Sequence, residues 1–109
     1  MRISHVIDMI HTRINIDIAL KNLAEKVFMS ESYFSHVFKD IIGFSPKQYV
    51  IQAKIEKAKE LLITTQEPVV EIAGSLGIDN PHYFSRLFKK ECVCTPLQYR
   101  KKKRKVHSL

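Results

Sequence analysis

Two stripes of side chains have the types and spacing to grip another molecule by hydrogen bonds. The first is Ser32, Ser35, His36 and Lys39; the second is His82, Ser85, Arg86 and Lys89. Each follows i, i+3, i+4, i+7, so on an α-helix each forms a single face. Hydroxyls and imidazoles both donate and accept, and the planar fork of Arg86 can hold two acceptors at once. On a base pair those acceptors are guanine O6 and N7, a pairing worth about 1–3 kcal/mol of discrimination. Lys39, Lys89 and the adjacent Lys90 are point charges better suited to phosphate, which positions a ligand without specifying it.

No comparable set supports catalysis. The chain has no carboxylate pair in a supporting motif, no Gly-rich loop to cradle a phosphate and no H-x-x-x-H spacing for zinc. Cys92 and Cys94, two positions apart, are badly placed for a structural disulfide and too few for a metal site. Both thiols are expected reduced, in a cytoplasm, and no metal, cofactor or enzymatic activity is expected. No run of 18 apolar residues could cross a membrane as a helix. The start, MRISHVIDMIHTRI, is interrupted by Arg2, His5, Asp8 and His11 and is not a signal peptide.

The formal net charge of +7 is unevenly placed. RKKKRK at residues 100–105 supplies six of the eighteen basic groups, leaving twelve against eleven acidic groups in residues 1–99. The folded part is therefore close to neutral. Residues 100–109 read either as a solvated, disordered tail or as a tail adding phosphate contacts, with Arg100 and Lys101 nearest the fold.

The elements that carry the stripes are helical. With three glycines and four prolines in 109 residues, punctuation is scarce. Ile3, Val6, Ile7, Ile10 and Ile14 predict a first helix near 3–14, and Leu20, Leu23, Ala24 and Val27 a second over 19–27. Phe28-Met29 is a turn. Ser30 is a good N-cap for a third helix, in which Phe34, Val37, Phe38, Ile41 and Ile42 recur, and Gly43 ends it. Ser45-Pro46 starts the longest helix, to about Thr64, with Ile51, Ile55, Ala58 and Leu62 as its stripe. Lys54 and Lys57 on that helix are expected in solvent. Val70–Leu76 is another short helix ended by Gly77. Asn80-Pro81 opens the next, with Phe84, Leu87, Phe88 and Cys92 inward, and Thr95-Pro96 opens a last short one that gives way to the basic tail. The phenylalanines, Tyr49 and Tyr99 are expected in or near the core.

The chain repeats itself. At an offset of 50, Tyr33, Phe34, Ser35, Phe38, Lys39, Pro46, Gln48 and Tyr49 are identical to Tyr83, Phe84, Ser85, Phe88, Lys89, Pro96, Gln98 and Tyr99. Upstream the offset is 49, aligning Leu23-Ala24 with Ile72-Ala73. Two copies are too few for a solenoid. Each copy reads short helix, tight turn, capped helix, Pro-initiated helix. The first three parts describe a helix-turn-helix, with Ala24 or Ala73 where the two helices cross closely. In that motif the second helix enters the major groove of DNA. Its inner face is core, so the two stripes are what remains to read bases.

LAEKVFMSESYFSHVFKDIIGFSPKQYV, AKIEKAKELL and VVEIAGSLGIDNPHYFSRLFKKECVCTPLQYR together resemble the DNA-binding domain of AraC/XylS-family transcription regulators, from about Ile3 to Arg100. The resemblance implies an all-α fold of about seven helices: two helix-turn-helix subdomains (1–45 and 65–99) joined by a long central helix (46–64). It implies double-stranded DNA as partner, RNA polymerase as a further one, and a bacterial, cytoplasmic setting. Base contacts would fall to Ser32, Ser35, His36, His82, Ser85 and Arg86; phosphate contacts would fall to Lys39, Lys89, Lys90, Arg100 and Lys101. Because the two reading faces differ, a monomer is expected to read an asymmetric site. The near-neutral folded part leaves a second reading open, a helical protein-interaction module that keeps the fold without binding DNA.

Three positions depart from the family pattern. Val93 stands where a glycine normally ends the second recognition helix, so that end must close differently or be strained. Ala19 stands where a capping Ser or Thr is common. Full-length members usually carry a further domain, so this chain reads as a fragment or a minimal member.

Overall fold

The computed structural model describes residues 3–16 and 18–107, with side chains through Arg104. The described residues form helices α1 (Ile3–Thr12), α2 (Leu20–Lys26), α3 (Glu31–Ile42), α4 (Pro46–Thr64), α5 (Val69–Ser75), α6 (Pro81–Cys92) and α7 (Pro96–His107), with no strand among them. The expected all-α order is present. The chain forms two compact units, 1–53 and 54–109, and the division falls inside α4 rather than at its ends.

The repeat is a repeat of packing. Unit 1 buries Val6 and Ile10 of α1, Leu23 and Ala24 of α2, Phe34 and Phe38 of α3, and Val50 of α4 in one cluster. Unit 2 buries Ile55, Ala58 and Leu62 of α4, Ile72 and Ala73 of α5, Leu76, and Phe84 and Phe88 of α6. In unit 1 the Phe34 and Phe38 rings lie 5.7 Å apart, and Tyr49 meets Phe38 edge-on at 5.7 Å. In unit 2 Phe84 and Phe88 are 6.0 Å apart, and Tyr99 meets Phe88 edge-on at 5.6 Å. Each buried phenylalanine stabilises by about 1.5–3 kcal/mol. Such edge contacts add about 0.5–1.5 kcal/mol. The repeated aromatic residues are those that hold α3 against α4 and α6 against α7.

The starts of these helices are capped as their sequences predict. Ser30 Oγ accepts from Tyr33 N at 3.2 Å, and Ser45 Oγ from Gln48 N at 3.1 Å. Asn80 Oδ1 accepts from His82 N and Tyr83 N at 2.9 and 3.1 Å. Thr95 and Gln98 form a reciprocal box, each side chain accepting from the other's amide. Ala19 makes no side-chain cap bond, leaving α2 with the weak start expected of it.

The two copies exchange glycine at their left-handed positions. The α2–α3 turn closes with Met29 N–H to Ala24 O (3.0 Å), and the α5–α6 turn with Ile78 N–H to Ala73 O (3.0 Å). The pivot is Phe28 (φ 57°) in the first and Gly77 (φ 75°) in the second. At the ends of α3 and α6 the order reverses: Gly43 (φ 93°) closes α3 and Val93 (φ 66°) closes α6, each N–H returning 2.8 Å to Lys39 O or Lys89 O. Val93 therefore closes its helix as glycine would, in a conformation that disfavours a β-branched residue.

Several expectations are corrected. α1 ends at Thr12, two residues early. Phe28 and Phe44 are surface residues, not core: Phe28 is 96% exposed at a turn pivot, and Phe44 lies in the loop between Gly43 and the cap Ser45. Lys54 is buried rather than solvated, because its ammonium is hydrogen-bonded to the Leu76 carbonyl. The basic run is not a disordered tail through residue 107: α7 continues through RKKKRK to His107. Lys and Arg are good helix formers, and the Thr95–Gln98 box gives the helix a firm start. Ser108 and Leu109, the end of the expected tail, lie outside the described residues.

Candidate nucleic-acid interface

The burial pattern along α3 sorts the first stripe. Phe34 and Phe38 point into the unit 1 core, Ser32, His36 and Lys39 are exposed, and Ser35 is half-buried at the edge. Along α6 the same order returns, with Phe84 and Phe88 inward, His82, Arg86, Lys89 and Lys90 exposed, and Ser85 half-buried. Each helix thus carries its candidate residues together on the side opposite its aromatic anchors. The caps Ser30 and Asn80 set where each stripe begins.

The two faces differ in charge. On α3 the imidazole Nε2 of His36 lies 3.3 Å from Asp40 Oδ2, one turn on, with both side chains exposed. A carboxylate there accepts from Nε2–H, which orients the ring. The i, i+4 spacing of His36 and Asp40 is legible in the sequence. The first turn of α3 also carries the acidic Glu31, whereas that of α6 has no acidic residue and its last turn carries Lys89 and Lys90. The second face is the more cationic.

Arg100 and Lys101, adjacent in sequence, are placed differently. Arg100 donates from Nε to Leu62 O (3.0 Å) and from Nη2 to Thr65 O (3.4 Å) and Glu67 O (2.6 Å). Burial, then the neighbouring Arg104 charge, lowers its pKa, opposed by Glu67. Arg104 donates to Gln66 Oε1 (2.8 Å) and to the Thr65 carbonyl. These two arginines, one turn apart, satisfy carbonyls at the C-terminal end of α4 and just beyond it, where orphan acceptors need partners. Lys101 and Lys102 are exposed, and Lys103 Nζ lies 5.7 Å from the Tyr99 ring centre. Sequence reasoning missed Arg104 because a run of six basic residues hides which of them face inward.

Cys92 and Cys94 are free thiols. Burial pushes the Cys92 thiol up, partly offset by the Lys59 ammonium. Among the described residues no group of three or more His, Cys, Asp or Glu could hold a metal, and no helix is long and apolar enough to cross a membrane.

Two helix-turn-helix units with outward polar stripes define a double helix-turn-helix domain. A family model described as "Helix-turn-helix domain" matches residues 23–102. The arabinose operon regulatory protein of Escherichia coli K12 is 37% identical over 86 residues, which cover 79% of this chain and 29% of that protein. The chain thus spans under a third of that relative's length. Among solved structures, the C-terminal domain of AraT, a response regulator from Geobacillus stearothermophilus, superposes with a TM-score of 0.87 at 35% identity, covering 91% of this chain and 83% of that one. The DNA-binding domain of AdpA, solved in complex with a target DNA, gives 0.88 at 26% identity over 93% and 91%. The chain belongs to the AraC/XylS-type helix-turn-helix family.

Proposed function

We propose that this chain is a sequence-specific double-stranded DNA-binding domain of a bacterial transcription regulator. The observation that carries the reading is the pair of outward stripes on α3 and α6, each set by a cap and held by the same aromatic packing. Family membership and the likeness to a domain solved on DNA support it.

In this reading α3 and α6 enter successive major grooves, about 34 Å apart. Ser32, Ser35 and His36 read one half-site and His82, Ser85 and Arg86 the other, with Arg86 bidentate to a guanine. Lys39, Lys89, Lys90 and Lys101 meet phosphates and set register. Arg100, whose Nε and Nη2 are bonded at the α4 end, would meet a phosphate through Nη1. A single chain binds as a monomer to an asymmetric site, in the cytoplasm, without catalysing a reaction. RNA polymerase is the further partner near promoters.

Selection of bound duplexes from a random pool, followed by titration of affinity against salt, tests this. The expected result is an enriched asymmetric motif whose log affinity falls against log salt by about 0.9 per phosphate neutralised. A protein-interaction module of the same fold would enrich no duplex.

A further inference from the structure

Lys54 is the one charged side chain buried among the described residues, at 5% exposure within α4. A buried ammonium is costly unless hydrogen-bonded, and its Nζ donates to the carbonyl of Leu76. Leu76 is the C-cap of α5 and is itself buried. The next residue is the left-handed pivot Gly77. The amides of Gly77 and Ile78 return to Gly74 O and Ala73 O, each at 3.0 Å, and Asn80 then caps α6. The ammonium therefore fastens α4 to the peptide at which the chain turns from α5 towards the second stripe.

We propose that Lys54 is a positioning residue for the second recognition helix. It holds the α5–α6 turn and thereby the angle at which α6 presents His82, Ser85 and Arg86, without touching DNA. The contact restrains local geometry whether or not DNA is bound; its effect on base reading rests on the function proposed above. The arrangement also explains a lysine at a position facing the core. An apolar residue of similar length would fill the space but leave the Leu76 carbonyl without this donor.

The test uses the full chain with Lys54→Met, which keeps length and loses the donor, and Lys54→Arg, which restores donors. Amide hydrogen exchange is read at Gly77 and Ile78 against Phe28 and Met29 of the other turn. Base preference is read by selection from a random duplex pool. Lys54→Met is expected to speed exchange at Gly77 and Ile78 by about tenfold, the factor a lost hydrogen bond gives, while Phe28 and Met29 stay unchanged. It is expected to flatten base preference at the positions that Arg86→Ala also affects and to spare the rest, with Lys54→Arg restoring both. Equal acceleration at both turns marks a general stability residue and overturns the inference. So does unchanged exchange at Gly77 and Ile78, or changed exchange with unaltered base preference. Should Lys54→Met not fold, Lys54→Gln, whose shorter side chain withdraws the donor from the Leu76 carbonyl while staying polar, takes its place in the same comparison. If the wild-type chain enriches no duplex, the DNA reading fails, while the exchange comparison still decides whether Lys54 holds the turn.

Discussion

Replacing Val93 by glycine should stabilise unit 2, and the size of the gain follows from the backbone. Val93 closes α6 at φ 66° and is 87% exposed, so its side chain contributes little burial to set against its conformation. A left-handed non-glycine residue costs about 1–2 kcal/mol. Glycine returns about 0.5–1 kcal/mol of that as extra freedom in the unfolded chain. The net gain is about 0.5–1 kcal/mol, or a rise of about 3–6 °C in Tm for a domain of this size. Thermal unfolding followed by circular dichroism measures it, with urea denaturation as a second reading. The converse change is the control: nothing lies within 4 Å of where a Cβ at Gly43 would sit, so Gly43→Ala should lose about 1 kcal/mol through backbone strain rather than a clash. A lower or unchanged midpoint for Val93→Gly, or a neutral Gly43→Ala, would refute the strain reasoning.

Arg86→Ala should relax base preference at one position by about 1–3 kcal/mol; an equal loss on every sequence would make Arg86 a phosphate contact, and competition binding against single-base variants decides. Arg100→Met should destabilise unit 2 by about 1 kcal/mol, because it removes the hydrogen bonds to the Leu62 and Glu67 carbonyls. Urea denaturation reads the loss, and a variant of unchanged stability would contradict that placement. Lys101→Gln should lower the salt slope by about 0.9 without altering the selected motif, as expected of one phosphate contact. A point change is cleaner than truncating from residue 101, which would also remove Arg104 from its bonds to Gln66 and Thr65.

The repeat made much of this fold legible. Phe34, Phe38 and Tyr49 recur as Phe84, Phe88 and Tyr99 because the same packing is built twice, and Ser30, Ser45, Asn80 and Thr95 marked helix starts by short-range chemistry. Contacts distant in sequence were hidden. Nothing local distinguishes Lys54 from Lys57, yet one reaches a carbonyl 22 residues on and is buried, while the other pairs with Glu60 at 3.3 Å near the surface. Arg100 and Arg104 look like any other member of a basic run until the end of α4 is placed beside them. Phe28 was misread by type, since aromatic residues are ordinarily core. Its alignment with Gly77 at the offset of 49 held the missing clue that the position calls for a positive φ. Of the candidate site, the stripes were readable from spacing alone, because helical phase and the inward phenylalanines together leave one free face.

The central claim is that two unlike faces of one chain read one duplex. Hydroxyl-radical footprinting on the duplex enriched from a random pool tests it most directly. The account predicts two protected segments on one side of the helix, about 10 base pairs apart, with Arg86→Ala weakening only one of them. A single protected segment, or protection independent of base sequence, would contradict it.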